Sequence, residues 1–220
     1  MIARLGLPLV LLLALLAGCA TPLQVGPNPA LFPLSAAAPT GQVAGRVALW
    51  VPAQVAATEN RSERLLGARS NLHVPVGRIV EQAARLALGD ALSGGVQPVD
   101  TLPPAGGGVS ATLVFDSVHC VDRVRLLWLL PVPILGIIDE TEVDVQLTFE
   151  LRLLDAQGRS VWTRSYDSGR VVWKRPAGSS ELGDAGIVRL AHEAAWRLSQ
   201  QAATDLRDWL VAERGKPREL

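Results

Sequence analysis

The chain has 220 residues with 21 basic and 21 acidic side chains, a formal net charge of zero. That balance excludes a nucleic-acid binder built on a basic surface, and no acidic tail is present. The only lysines are Lys174 and Lys216, so the cations are nearly all arginine, which we take as a genome's habit rather than a phosphate site.

The N-terminus carries the three parts of a secretory leader. Met1 to Arg4 is the positive end, Leu5 to Leu16 is apolar and rich in leucine, and small residues follow. The apolar run falls well short of the roughly 20 residues that a spanning helix needs. Leu16-Ala17-Gly18-Cys19 matches a bacterial lipobox at all four positions. The match implies a signal peptide over 1–18, a diacylglyceryl group on the Cys19 sulfur, and an acyl chain on its amine after cleavage. A single acyl chain anchors only marginally, at roughly 10⁴ M⁻¹, and stable anchoring takes two. Ala20 rather than Asp follows the cysteine, which in Gram-negative lipoproteins favours the outer membrane, with the domain on its periplasmic face. Cys19 is consumed by lipid, so Cys120 is left without a partner in the chain and is expected as a small buried hydrophobe. The domain must therefore hold itself with a core rather than a disulfide.

Residues 19–41 read as a tether. Pro22, Pro27, Pro29, Pro33 and Pro39 favour extended backbone, and Leu31, Phe32 and Leu34 are its candidates for docking. A single domain is expected over 42–214. Val43, Val47, Leu49 and Val51 alternate with smaller or polar residues as a strand does. Ala53 to Asn71 reads as irregular, and Leu72 to Val76 as a short extended piece. Gly77 to Leu92 has helical spacing, with Ile79, Val80, Ala83, Leu86, Ala87 and Ala91 on one side. Gly94-Gly95 is expected to stop it with a left-handed cap. Val96 to Val99 is a brief strand, and Pro103 to Gly108 a loop. Ser110 to Val124 is a strand rich in apolar residues.

Glu142 to Leu153 has the cleanest alternation in the chain, with Val143, Val145, Leu147, Phe149, Leu151 and Leu153 on one side. Asp155-Ala156-Gln157-Gly158 is a hairpin turn, and Val161 to Trp173 returns from it, slowed at Ser168-Gly169. Trp162 and Trp173 are candidates to face one another across that hairpin. Asp184 to Ala212 is a long helix with a stripe from Ile187 through Leu190, Ala191, Ala194, Leu198, Ala202 and Leu206 to Trp209. Residues 215–220 form a polar tail. The expected fold is α+β, a largely antiparallel sheet with two amphipathic helices on one face.

The least ordinary stretch is the run of 13 residues from Leu126 to Ile138. Leu126, Leu127, Trp128, Leu129, Leu130, Ile134, Leu135, Ile137 and Ile138 are its large apolar residues. Pro131 and Pro133 forbid a central strand, so the run is a connection between two strands that should pair. Two readings stand. Folded over the core, each buried side chain would contribute roughly 1.5–3 kcal/mol. Exposed, the run would mark a contact with a protein partner, a lipid or a membrane surface.

Other chemistry is sparse. His73, His119 and His192 lack metal-ligand spacing, and alternation puts Asp116 and Asp122 on the face opposite His119. Asp139, Glu140, Glu142 and Asp144 lack the glycine-punctuated loop of a calcium site. Neither a nucleophile elbow nor a phosphate-cradling loop is present. No cofactor is expected and no catalytic residue is assigned.

The lipobox, the early strand Val43 to Val51, the helix Arg78 to Leu92, the turn at Asp155 to Gly158 and the closing helix together resemble small Gram-negative envelope lipoproteins. The resemblance is to the YajG kind and to the auxiliary lipoproteins of ABC-type lipid transport systems. It implies a non-enzymatic lipoprotein, held to the membrane by its anchor, that serves as an accessory or assembly part of an envelope complex with a protein partner. The alternative is a carrier of lipid or lipopolysaccharide with the 126–138 loop as lid. A hydrolase is the remote third reading.

Overall fold

Alternation in the strand Glu140–Asp155 decides where the core lies. Val143, Val145, Leu147, Phe149, Leu151 and Leu153 are all buried on one side of it. The computed structural model describes residues 23–32, 42–64, 72–102, 111–127, 140–174 and 183–214. Eight strands occur in that set: β1 Leu23–Gln24, β2 Val47–Trp50, β3 Arg61–Arg64, β4 Leu72–His73, β5 Val96–Val99, β6 Ala111–Leu127, β7 Glu140–Asp155 and β8 Ser160–Lys174. The α-helices are α1 Ala53–Ala56, α2 Val76–Ala91 and α3 Gly183–Arg214, with a 3-10 turn at Pro29–Leu31.

The fold is α+β, as the pattern of elements predicts, and the sheet is largely antiparallel in its long strands, though mixed rather than purely so. Its order is β5-β2-β6-β7-β8, with β3 also pairing β6. The pairings β6–β7 and β7–β8 are antiparallel, while β2–β5, β2–β6 and β3–β6 are parallel. A period of two is common to both kinds of strand, so periodicity alone could not separate them.

Helix α2 packs along α3, and α3 lies on β7 and β8. The α2 face that meets the core is Val76, Ile79, Val80, Ala83, Ala84, Ala87, Leu88 and Ala91. Leu86, expected on that face, is 40% exposed, and Leu88 takes its place in the core. Gly77 lets α2 touch the end of α1, because a Cβ there would overlap the carbonyl oxygen of Val55. The helix ends one residue before expectation. Leu92 is already extended, and Val43 donates its N–H to the Ala91 carbonyl at 3.0 Å. Strand-like pairing with Val43 thus ends α2; Gly95, at φ 69°, only completes the turn that follows.

The stretch from Ala53 to Asn71 is less irregular than its polarity suggests, since it holds α1 and β3. β8 runs antiparallel to β7 after the expected turn, where Gly158 has φ 76° and Asp155 accepts from the backbone N–H groups of Gln157 and Arg159. The predicted slowing at Ser168-Gly169 is a bulge: the register shifts there and Gly169 has φ 59°. Ser168 Oγ accepts from Leu147 N–H at 2.9 Å, and Arg197 of α3 donates to the Ser168 carbonyl at 2.8 Å. Trp162 and Trp173 do not face one another. They pair with Leu153 and Val143 at opposite ends of β7.

Candidate functional site

Three surfaces are built by these elements. The first is the β6–β7 hairpin. Past a bulge in β6 its strands stay paired to the far end, where Leu126 pairs with Thr141 and Leu127 with Glu140. Backbone pairing is thus complete up to the apolar run. Trp128, Leu129, Leu130, Ile134, Leu135, Ile137 and Ile138 lie outside the described residues, as do Cys19, Leu34 and Asp139.

The second surface is the outer face of β6, β7 and β8. Here Arg152 reaches Asp116 at 2.6 Å, Gln146 Nε2 donates to both oxygens of Asp167, and Lys174 stands 3.9 Å from Glu142. Ser117, Thr148, Glu150, Ser165 and Asp167 line an open groove of about 330 Å³. Asp144, which alternates with the core residues Val143 and Val145, is only 1% exposed and lies 3.7 Å from Arg123.

A bulge in β6 corrects the expected placement of the acids around His119. The register slips between Phe115 and Ser117, so Asp116 turns outward with His119 and only Asp122 turns inward. Asp122 is 0% exposed and opposes Val145 on the core face. Asn60 Nδ2 donates to it at 2.5 Å, and Asn60 Oδ1 accepts from Val74 N–H at 2.8 Å. One asparagine thus joins the entry of α2 to the centre of the sheet. Cys120 shares that face and is buried as expected. Burial first, and the Asp122 charge second, push its thiol up to about 12, which favours the neutral thiol over the reactive thiolate at neutral pH.

The third surface is made by the segment that precedes the domain. Residues 23–32 form a strap across the helix side. β1 pairs in parallel with β4, Leu23 against Leu72 and Gln24 against His73. Asn28 caps the 3-10 turn with its side chain and donates its backbone N–H to His192 Nε2 at 3.0 Å. Phe32 is buried against α3, its ring 5.3 Å from His192 and 5.8 Å from Trp196. Leu31 packs against the core beside it. Between Pro27 and α2 lies a groove of about 380 Å³ lined by Arg78, Glu81, Gln82, Arg85 and Leu86. Of the docking candidates in this segment, Leu31 and Phe32 pack on the domain, and Leu34 lies outside the described residues.

No protein-family model matches the chain, and no curated protein matches it. Solved structures do. A minor lipoprotein from Acinetobacter baumannii is 15% identical, with 80% of this chain and 100% of that one covered, at a TM-score of 0.41. A DUF330-family protein from Xanthomonas campestris is 14% identical over 85% of this chain and 94% of its own, also at 0.41. A homolog of the neuraminyllactose-binding hemagglutinin from Helicobacter pylori is 9% identical over 78% and 90%, at 0.42. These are likenesses at low identity, and neither the YajG kind nor any other family is assigned by them.

Three titratable side chains make defined contacts within the fold. His192 Nδ1 lies 2.7 Å from the Val188 carbonyl, which fixes the proton on that nitrogen and leaves Nε2 as the acceptor for Asn28. Tyr166 donates to Asp205 at 3.2 Å, and burial with that neighbouring charge raises its phenol. His73 meets Glu59, but both side chains are about half exposed, at 46% and 50%. Among the described residues no group of three or more His, Cys, Asp and Glu could hold a metal. No described helix is long and apolar enough to cross a membrane.

Proposed function

We propose that this chain is a lipid-anchored lipoprotein on the periplasmic face of the outer membrane. It acts without catalysis, as an accessory or assembly component of an envelope complex. The lipobox ending at Cys19 supports the anchor. The observation that carries the accessory role is the β6–β7 hairpin, which is paired up to Leu127 and Glu140 and bears the apolar run at its end. Among the described residues, only 125–127 and 140–141 reach past the neighbouring strands β3 and β8, so the apolar run starts at the edge of the sheet, where an exposed apolar patch would mark a contact.

The carrier reading has less support. It needs room between sheet and helices, and that layer holds Phe115, Leu147, Phe149, Leu151, Ile187 and Leu198, all fully buried. A hydrolase needs a nucleophile beside a base, whereas the Cys120 thiol is raised to about 12 and the His192 ring is held by Val188 and Asn28.

The test is an in-cell crosslink from a photoreactive residue at Leu129 or Leu135. A discrete protein adduct is expected. Lipid adducts would move the reading to the carrier. No adduct from folded, lipidated protein would mean that the run packs on its own core, and would overturn the role given to the hairpin.

A further inference from the structure

The strap changes the length of the leash. If residues 19–41 were a free tether, the first fixed residue after Cys19 would be Val43, up to about 86 Å away in extended chain. The pairing of Leu23 with Leu72 fixes the chain four residues after Cys19, a reach of at most about 14 Å. The lipidated cysteine and the strap side of the domain must therefore stay close. Pro27, which borders the α2 groove, is eight residues from Cys19, at most about 29 Å.

That groove has the chemistry of a lipid surface contact. Leu86 turns outward from α2 instead of into the core. Arg78 and Arg85 line the same groove, two helical turns apart on one face of α2, and both are exposed. Arg78 Nη1 donates to Glu81 at 2.9 Å while 59% of its side chain stays in solvent. Long arginine stems can lie on an apolar surface while the guanidinium reaches a phosphate. Phe32 and the Asn28–His192 hydrogen bond latch the strap to α3, which holds Pro27 against this face.

We propose that the docked strap seats the domain on the membrane that carries its own anchor, with the Arg78–Arg85–Leu86 groove of α2 against anionic phospholipid headgroups. The proposal rests on the lipid-anchor reading. The short leash selects the occupant, because what lies within reach of a lipidated cysteine is the bilayer surface. Docking also gives the domain a fixed orientation, with the outer face of the sheet turned away from that surface.

The experiment uses full-length lipidated protein in vesicles of phosphatidylethanolamine and phosphatidylglycerol doped with headgroup-nitroxide lipid. A bimane fluorophore is attached at Gln82→Cys, or at Thr163→Cys on the outer face of β8; the buried Cys120 does not compete for it. Quenching is expected at position 82 and not at 163. It is expected to be lost in Phe32→Ala, in the double variant Arg78→Glu with Arg85→Glu, and on insertion of a 20-residue Gly-Ser segment between Ala20 and Thr21. The insertion leaves every described residue unchanged, so it keeps the test sound if Phe32→Ala fails to fold. Equal quenching at both positions, or quenching at 82 that survives both the insertion and the charge reversal, overturns the proposal. Protein that floats with vesicles but is unquenched at 82 sinks the seat alone. Mature protein that carries no lipid on Cys19 sinks the anchor reading and the seat with it.

Discussion

Asn28 and His192 are 164 residues apart in sequence and share a hydrogen bond, with the Asn28 backbone N–H on His192 Nε2 at 3.0 Å. The bond exists only while the ring is neutral, because a doubly protonated imidazole has no acceptor left. Burial lowers the His192 pKa below its usual 6.5, and the hydrogen bond to Val188 opposes that shift only in part. A folded value below the unfolded one means that the unfolded chain binds the proton more readily. The contribution of His192 is therefore complete above about pH 6.5 and is lost as pH falls from there through the folded pKa. Thermal unfolding between pH 7.5 and 5 should show the native protein losing stability on acidification. His192→Gln should remove that part of the slope. An unchanged slope would show that the ring does not control the latch.

Asn60 holds two parts of the fold together, and its loss should be felt in both. Its side chain donates to the buried Asp122 and accepts from Val74 at the entry to α2. Hydrogen bonds to charged groups contribute about 1.5–3 kcal/mol, so Asn60→Ala should lower stability by an amount in that range. Asn60→Asp should cost more at neutral pH, because a second carboxylate would stand against Asp122. Denaturant melts at pH 7 and pH 4.5 distinguish the two cases. The Asp variant should recover part of its loss in acid, and the Ala variant should not.

Cys120 should be inert in the folded state. With the thiol raised to about 12 by burial and by Asp122, almost no thiolate exists at pH 8, and the thiolate is the reacting species. Iodoacetamide at pH 8 should leave the native protein unmodified and alkylate it fully in urea. Mass spectrometry reads the difference. Rapid native alkylation would mean that the β6 face opens to solvent.

Elements whose pattern is local were legible from neighbouring residues alone. The stripe of α3, the alternation of β7 and the turn at Asp155 to Gly158 each follow from residues a few positions apart. The same is true of the inward side of α2, apart from Leu86. Local periodicity says which side of an element is apolar; it does not say what covers that side, or which strand lies beside it. The tertiary structure decided those points. The parallel pairings of β2 and β3 with β6 join segments whose period of two fits either direction. The bulge at Asp116 sent Asp116 outward and Asp122 into the core, because one extra residue reverses the faces of all that follow. The strap was legible only as a tether with a few apolar residues, since Phe32 finds His192 and Trp196 on a helix near the other end of the chain. Its docking depends on a slot that exists only once α3 has packed on the sheet, and so no reading of residues 19–41 alone could contain it.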